Sequence, residues 1–434
     1  MSGTTAERRI TASILESVSR GRRLDRAFGE AAGALGPRER RWVHRAAYGV
    51  IRFRGRLDHL LHLHLRQGLR SLSPRVLELL RLGAYQLLFM DGVPSYAAVS
   101  QTVEQVRAIA GSGAGKMANG VLRTLDREGG GVDRFPAFEE DPLAHLTTWG
   151  SHPDWLVRRW LSRWGPDEVG RLVEWNNAPP PLFVRPLGIS MEEGVRRLKS
   201  EGVEVRIPSE KVPCLQLEDG TDPAAVLEGF PAIVQDPGAA LVTVYADPPP
   251  GSKILDLCAA PGGKALALAA EGSYVLAADR SLSRLRWVRQ NLRRVGGDVV
   301  MVVADARKPP FSGADFVLVD VPCSGTGTMR RHPDARWRLT PEMLETLVNL
   351  QREIIQATAR LIPPGGHLVY STCTLEEEEN EQQVETFLRG DPGFQVEGTD
   401  AVDPSFLDER GLLRVVPQVA GFDGAFGARL VRRS

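Results

Sequence analysis

Cys323 and Cys373 each close a short β-rich apolar run, and two thiols brought to one crevice could divide a nucleophile's task from a base's. The first lies in Asp315 to Gly327, DFVLVDVPCSGTG, where Phe316 to Val319 reads as a strand of a sheet covered on both faces. Asp320 then stands at the strand's carboxyl end, and ligands of open α/β sheets bind in the crevice outside such ends. Pro322 fixes φ and lacks an N–H, so the chain leaves the sheet just before the thiol. A lone free cysteine is usually a small buried hydrophobe. The second one changes the balance: Cys373 ends His367 to Cys373, HLVYSTC, after a Pro-Pro-Gly-Gly break at Pro363 to Gly366.

A third strand-end stretch, Lys253 to Lys264, reads KILDLCAAPGGK, a strand, a Pro-Gly-Gly turn and a helix. From there strands are expected at Lys253 to Cys258, Tyr274 to Asp279, Val299 to Asp305, Phe316 to Asp320 and His367 to Cys373, with helices between most of them. That alternation predicts an α/β domain with a doubly wound parallel sheet. Gly262 and Gly263 would let backbone approach a nucleotide-like ligand, and Asp279, about 20 residues on, has the spacing of a ribose-binding acid. Asp305 suits an adenine amino group. Singly, each acid reads as a cap or a surface charge; Asp256, Asp279, Asp305 and Asp320 at successive strand ends read as a site. A hydride-transfer enzyme is the natural rival, but the turn lacks G-x-G-x-x-G, and Pro261 and Lys264 do not suit pyrophosphate.

The 434 residues suggest two to four domains, since single cores stop growing near roughly 250 to 300 residues. Basic and acidic residues balance at 54 each, so any basic surface is local. Four cysteines without a C-x-x-C pair argue against structural zinc and a secreted disulfide framework; no metal is expected. Nor is there a signal peptide or long uncharged apolar stretch, so the expectation is a cytoplasmic protein without a membrane partner. Residues 6 to 128 read as a helical bundle, arginine-rich at Arg20, Arg22, Arg23 and Arg26 and again from Arg38 to Arg56. His59, His62 and His64 have no carboxylate or thiol at ligand spacing. Gly129 to Asp141 reads as a boundary. Trp155, Trp160 and Trp164 follow at packing spacing, and strands at Leu182 to Arg185, Val203 to Ile207 and Cys214 to Leu217 suggest a small α+β module.

CAAPGGK at Cys258 to Lys264, DVPCSGTG at Asp320 to Gly327 and STC at Ser371 to Cys373 resemble the S-adenosylmethionine-dependent RNA (cytosine-5) methyltransferases. RLGAYQLLFMDGVPSYAAVSQTVE at Arg81 to Glu104 and NGVLRTL at Asn119 to Leu125 resemble the NusB-like RNA-binding domain that precedes some of them, and SHPDWLVRRW at Ser151 to Trp160 resembles their linker. Over essentially the whole chain the resemblance is to the RsmB (Sun/Fmu) type of the RsmB/NOP family, acting on 16S ribosomal RNA. It implies a NusB-like helical domain over 1–130, a small α+β RNA-binding module over 140–245 and a Rossmann-like methyltransferase domain over 246–434. It also implies a monomer whose partner is ribosomal RNA or the small-subunit particle, with S-adenosyl-L-methionine as donor and S-adenosyl-L-homocysteine as product. Cys258, Ala259, Ala260, Pro261, Gly262, Gly263, Lys264, Asp279, Asp305 and Asp320 would then line the cofactor site, with Cys373 the nucleophile and Cys323 assisting product release. The chain departs from the family at Gly120, at Arg185-Pro186-Leu187, and at Ala265, Thr374 and Ala425. Val234 to Asp236 is expected near the cofactor.

That chemistry needs two thiols. Cytosine C5 is a poor nucleophile until a thiolate adds to C6, and the C5 proton must later leave so that the adduct can eliminate. Asp320 could steady the flipped base at N3 or its amine. Free cysteine titrates near about 8.5, so the nucleophile needs help to be a thiolate. Glu376 to Glu379 would oppose that charge, and these acids are expected to start a helix and point into solvent while Lys264 or a bound substrate compensates. Rival readings are a methyltransferase of tRNA or another RNA, a DNA cytosine-5 methyltransferase using the thiol after the proline, and a non-catalytic RNA-binding assembly factor.

Overall fold

Apolar residues recurring every three to four positions put Ile14, Leu15 and Val18 on one face of helix Ala6–Ser19, and Val76, Leu79 and Leu80 on one face of Pro74–Phe89. With Leu24–Ala31, Pro37–Arg52, Arg54–His64 and Ser95–Glu128 they enclose a core that includes Leu57, Tyr85 and Leu122. Pro37 and Pro74 sit in the first turn of their helices, where the missing N–H costs nothing. The computed structural model describes residues 4–434. It divides into two units: the chain up to Ala178 together with Met329–Arg338, and Pro179–Thr328 together with Leu339–Ser434. The stretch 140–245 is thereby shared, its helices Pro142–Thr148 and Asp154–Asn177 falling in the first unit and its strands in the second.

Met329–Arg338 is part of the helical unit although it is distant in sequence. Trp337 packs on the helical core and donates its Nε1–H to Ile51 O at 2.7 Å. The side chain of Arg336 is fully buried. Its Nη1 donates to Asn177 Oδ1 at 2.8 Å and Ser151 O at 3.1 Å, its Nη2 to Asn176 O at 3.1 Å and Met329 O at 3.3 Å. One of these acceptors, Asn176 O, is a last-turn carbonyl of helix Asp154–Asn177, the kind that lacks an intrahelical partner.

In the second unit β1 (Leu182–Pro186), β2 (Val205–Arg206), β3 (Leu215–Leu217) and β4 (Ala232–Val234) form an antiparallel sheet in the order β2-β3-β1-β4. The larger sheet contains β5 (Lys253–Asp256), β6 (Tyr274–Asp279), β7 (Val299–Val303), β8 (Phe316–Asp320) and β9 (His367–Thr372), all parallel, in the order β9-β8-β5-β6-β7. Alternation along these strands serves two cores. Ile254, Phe316, Leu318 and Val369 face helices Pro237–Ala246 and Gly263–Ala270; Leu255, Val317, Val319 and Tyr370 face Pro341–Ala359 and Glu381–Gly390. The first core also takes in Phe183, Cys214 and Ile233, so the small sheet shares apolar packing with the large one.

The expected all-parallel sheet is mixed. β12 (Ala425–Arg432) runs antiparallel beside β9, and β10 (Phe394–Val396) and β11 (Leu413–Val415) pair antiparallel with β12. A terminal strand around Ala425 is expected, but β10 and β11 are not, because three residues each give too little period for local pattern to declare. The order reverses at β5, which places the crevice for a ligand at the carboxyl ends of β5 and β8. Arg336→Ala should destabilise the helical unit by on the order of 3–5 kcal/mol, since it strands buried acceptors as well as removing packing. A denaturant midpoint by tryptophan fluorescence unchanged from wild type would contradict this.

Candidate active site

Parallel pairing of β8 with β9 sets Asp320 opposite Ser371, and Val321 N donates to Ser371 O at 3.0 Å as the ladder ends. Beyond it the two chains stay tied, because Gly327 N donates to Cys373 O at 3.1 Å. Only glycine fits there: a Cβ on Gly327 would lie 2.8 Å from that carbonyl and from Gly424 Cα. The result is that Cys323 and Cys373 meet, Sγ to Sγ, at 3.5 Å, and Cys373 N–H donates to Cys323 Sγ at 3.4 Å.

The two sulfurs are not equivalent. The hydrogen bond to Cys373, burial, and the charges of Cys373 and Glu379 together hold the Cys323 thiol well above its ordinary range. These forces favour the thiol form of Cys323, against the opposing pull of the Cys373 N–H on its sulfur. The other two cysteines take no part. Burial pushes the Cys258 thiol up, and Cys214 is buried against Gln235 O.

Lys264, from the helix that follows the Pro-Gly-Gly turn, donates its Nζ to Asp320 Oδ2 at 2.8 Å, while Ser371 Oγ donates to Asp320 Oδ1 at 2.9 Å. Burial disfavours the ammonium, but Asp320 and the nearby Cys373 outweigh it and raise the Lys264 pKa. Asp279 is almost wholly buried and accepts from Ser281 N at 2.8 Å and Ala260 N at 3.3 Å, with Arg284 Nη1 3.3 Å away. It thus braces the turn against the next helix. Asp305, more exposed, is gripped by Arg307, which with its own backbone N–H holds the carboxylate down to about 2. The glycines of the turn work inward. Gly262 has φ +105° and a Cβ there would press Val288 at 3.0 Å; the Cβ of Gly263 would lie 3.1 Å from Gln235 Nε2, which brings the Val234 to Asp236 segment to the turn.

The expected placement of Glu376 to Glu379 is wrong. Glu376 is 3% and Glu379 0% exposed, and the helix starts only at Glu381. Glu379 Oε1 accepts from Ser324 N and from Gln351 Nε2, each at 2.8 Å, and its Oε2 accepts from Ser324 Oγ. An acidic run reads as solvated; here specific donors draw one carboxylate inward, and burial pushes its pKa up. Ser324, Thr326, Gln351, Tyr370 and Glu379 are the site residues that sequence reasoning missed. The hydroxyl-rich runs around both cysteines were a usable signal, whereas nothing local marks Gln351 in its helix.

A cavity of about 800 Å³ lies at the opposite end of the large sheet, lined by Lys253, Tyr274, Asp298, Asp315, Pro363 and Arg432, away from the thiols. Among the described residues no group of three or more His, Cys, Asp or Glu could hold a metal, and no helix is long and apolar enough to cross a membrane.

Asp256, at the end of β5, is buried. Burial, and then the charge of Asp320, push it up to about 7. A raised folded-state pKa favours the protonated form, so the associated stability is complete below about pH 4 and lost as pH rises through about 7. Asp256→Asn removes that slope, and from pH 4 to pH 8 its stability should gain on wild type by on the order of 4 kcal/mol. Equal pH slopes in denaturant titrations of the two proteins would refute the assignment; any fixed cost of the amide cancels.

The family model for the 16S rRNA methyltransferase RsmB/F matches residues 243–431, the NusB family residues 5–127, and the ferredoxin-like domain of RsmF/B-like methyltransferases residues 152–222. The ribosomal RNA small subunit methyltransferase B of Vibrio vulnificus (strain YJ016) is 32% identical, over 98% of this chain and 99% of its own. The probable enzyme of that name from Bacillus subtilis (strain 168) is 32% identical over 87% of each. Among solved structures, PH0851 is 27% identical with a TM-score of 0.78, covering 99% of each chain. NSun6 from Pyrococcus horikoshii, solved with SFG, is 22% identical with a TM-score of 0.57, over 65% of this chain and 98% of its own, and shares the fold. With a NusB-like helical domain, a small antiparallel sheet and a Rossmann-like catalytic sheet in order, the chain belongs to the RsmB/F family of ribosomal RNA methyltransferases.

Proposed function

We propose that this methyltransferase makes 5-methylcytidine in 16S ribosomal RNA through a covalent adduct between Cys373 and cytosine C6, with S-adenosyl-L-methionine as donor. The observation that carries the reading is the 3.5 Å approach of two unlike sulfurs at the carboxyl ends of neighbouring strands. The site suits a cationic, ribose-bearing donor: Asp256, Asp279 and Asp320 end three strands at the crevice, Asp305 follows a fourth, β7, by two residues rather than ending it as expected, and Asp256 is buried. When bound, the donor supplies an electrophilic methyl group on a sulfonium. Asp279 and Asp305 would hold its ribose and adenine, with Cys258, Ala259, Ala260, Pro261, Gly262, Gly263 and Lys264 forming the surrounding turn.

On the protein's side, Cys373 Sγ forms a bond to C6, and the electron pair of the C5=C6 bond becomes available at C5 for the methyl group. Asp320, held between Lys264 and Ser371, would accept from the exocyclic amine, and with a proton of its own would donate to N3 as negative charge develops there. Bonding to carbon removes the Cys373 partner that raises the Cys323 thiol, first through its hydrogen bond and then through its charge. Cys323 then gives its own proton to solvent and takes the C5 proton as a thiolate, and the C5–H electron pair re-forms the C5=C6 bond while the Cys373–C6 pair leaves with Cys373 Sγ. The opposite assignment, with Cys323 as nucleophile as in DNA cytosine-5 methylation, conflicts with the forces that hold Cys323 as the thiol.

The helical unit and small sheet would present a single-stranded or loop cytidine, because A-form major grooves hide base edges. We take the protein to act as a cytoplasmic monomer on ribosomal RNA or the small-subunit particle; another RNA is the alternative substrate. Bisulfite mapping of RNA from cells with and without the protein should reveal a small-subunit cytidine that loses methylation, and a site confined to tRNA would overturn the substrate assignment. Cys373→Ala should abolish methylation. Cys323→Ala should slow turnover by on the order of 10²–10⁴-fold, the range for loss of a general base, while an SDS-stable RNA adduct accumulates. An active Cys373→Ala beside a dead Cys323→Ala would reverse the roles.

A further inference from the structure

The loop carrying Cys323 is held on both sides by one buried cluster. Before the thiol, Pro322 O accepts from Gln351 Nε2 at 2.9 Å; after it, Ser324 N donates to Glu379 Oε1 at 2.8 Å. Gln351 and Glu379 are joined to each other by a 2.8 Å hydrogen bond, and both are fully buried. Tyr370, from β9, completes the cluster: its hydroxyl donates to Glu379 O at 2.7 Å and lies 3.3 Å from Gln351 Oε1. The strand that delivers Cys373 is thereby tied to the backbone on either side of Cys323.

A carboxylate at 379 has a specific use. It accepts only, and it must satisfy Ser324 N, Gln351 Nε2 and Ser324 Oγ together, which the mixed donor and acceptor ends of an amide cannot do in the same orientation. Ser324 Oγ donates to Glu379, and Thr374 Oγ1, 2.6 Å from Ser324 Oγ and itself hydrogen-bonded to Glu379, leads on to Thr326 Oγ1 at 2.9 Å. Leu375 N in turn donates to Thr326 Oγ1 at 2.8 Å. A row of hydroxyls crosses from one cysteine segment to the other. Burying a charge is costly, and a site needing only bulk would be better filled by an apolar side chain.

We infer that Glu379 is a positioning residue for Cys323: by clamping Ser324 and Gln351 it holds the second sulfur beside the first, and so serves the release step rather than the attack. This rests on the covalent reading above, because it assigns Glu379 to the step that Cys323 performs. Cys373 directly follows β9, whereas Cys323 lies three residues beyond β8 on the loop that the clamp holds.

The test uses the full-length protein with a 16S ribosomal RNA transcript and radiolabelled S-adenosylmethionine, comparing wild type, Cys323→Ala, Glu379→Ala and Glu379→Gln. Glu379→Ala should bind S-adenosylmethionine within two-fold of wild type by calorimetry, lose on the order of 10²-fold in turnover, the scale of an impaired general base, and accumulate an SDS-stable adduct. Glu379→Gln keeps an acceptor for Ser324 N and Gln351, so it should recover about ten-fold of that loss while still showing more adduct than wild type; it also serves if the alanine variant does not fold. The inference stands if adduct builds up in either glutamate variant with cofactor binding intact. It falls if neither traps RNA, whether turnover is normal or adduct formation and cofactor binding are lost together, the latter marking a purely structural residue. Should Cys323→Ala itself trap nothing, the failure lies with the covalent reading beneath.

Discussion

The register of β8 against β9 is the constraint on which the site depends. Because Asp320 lies opposite Ser371, the segments leaving the two strands start level, and each reaches its cysteine within three residues. A slip of one residue would turn alternate side chains of these strands to the other face. That register is in turn fixed by burial on both faces, since Val317, Val319, Leu368 and Tyr370 must meet one helix layer and Phe316, Leu318 and Val369 the other. The catalytic geometry is therefore a by-product of core packing, stabilised over the last few ångströms by Gly327 against Cys373 O.

Electrostatics at the strand ends is a compromise. Four acids gather around one crevice, and a single lysine, Lys264, enters among them. Asp320 is paired locally with that lysine and Asp279 is committed to backbone N–H groups and Arg284, whereas for Asp256 burial outweighs the pull of Lys264 and the Cys258 N–H. Such a buried acid lowers stability near neutrality, and persistence of such a group at a ligand crevice fits the general exchange of stability for function.

Much of this was legible beforehand because it is local. Phe316 to Asp320 and Tyr274 to Asp279 form strands with the expected limits, and Ser281 and Pro341 open helices as their residue types dictate. The acids and thiols at strand ends follow from the same reading. What escaped depends on partners far along the chain. The four-glutamate run has the composition of a solvated face, and only Ser324 and Gln351, 55 and 28 residues away, draw Glu379 inside. The antiparallel edge built by β12 rests on pairing rather than on period, and Arg336, far along the chain from Ser151 and Asn176, is a core residue of the helical unit.

That last feature bears on how the protein is made. The helical unit is complete in sequence only when Met329–Arg338 has been added, after the intervening residues 179–328. At roughly 5–20 residues per second of synthesis, the nascent bundle waits roughly 10–30 s with the receptor for Arg336 empty and the carbonyls of Ser151 and Asn176 facing water. Vectorial emergence from the ribosome therefore does not let the amino-terminal part finish first, and its maturation is bound to translation of the catalytic half.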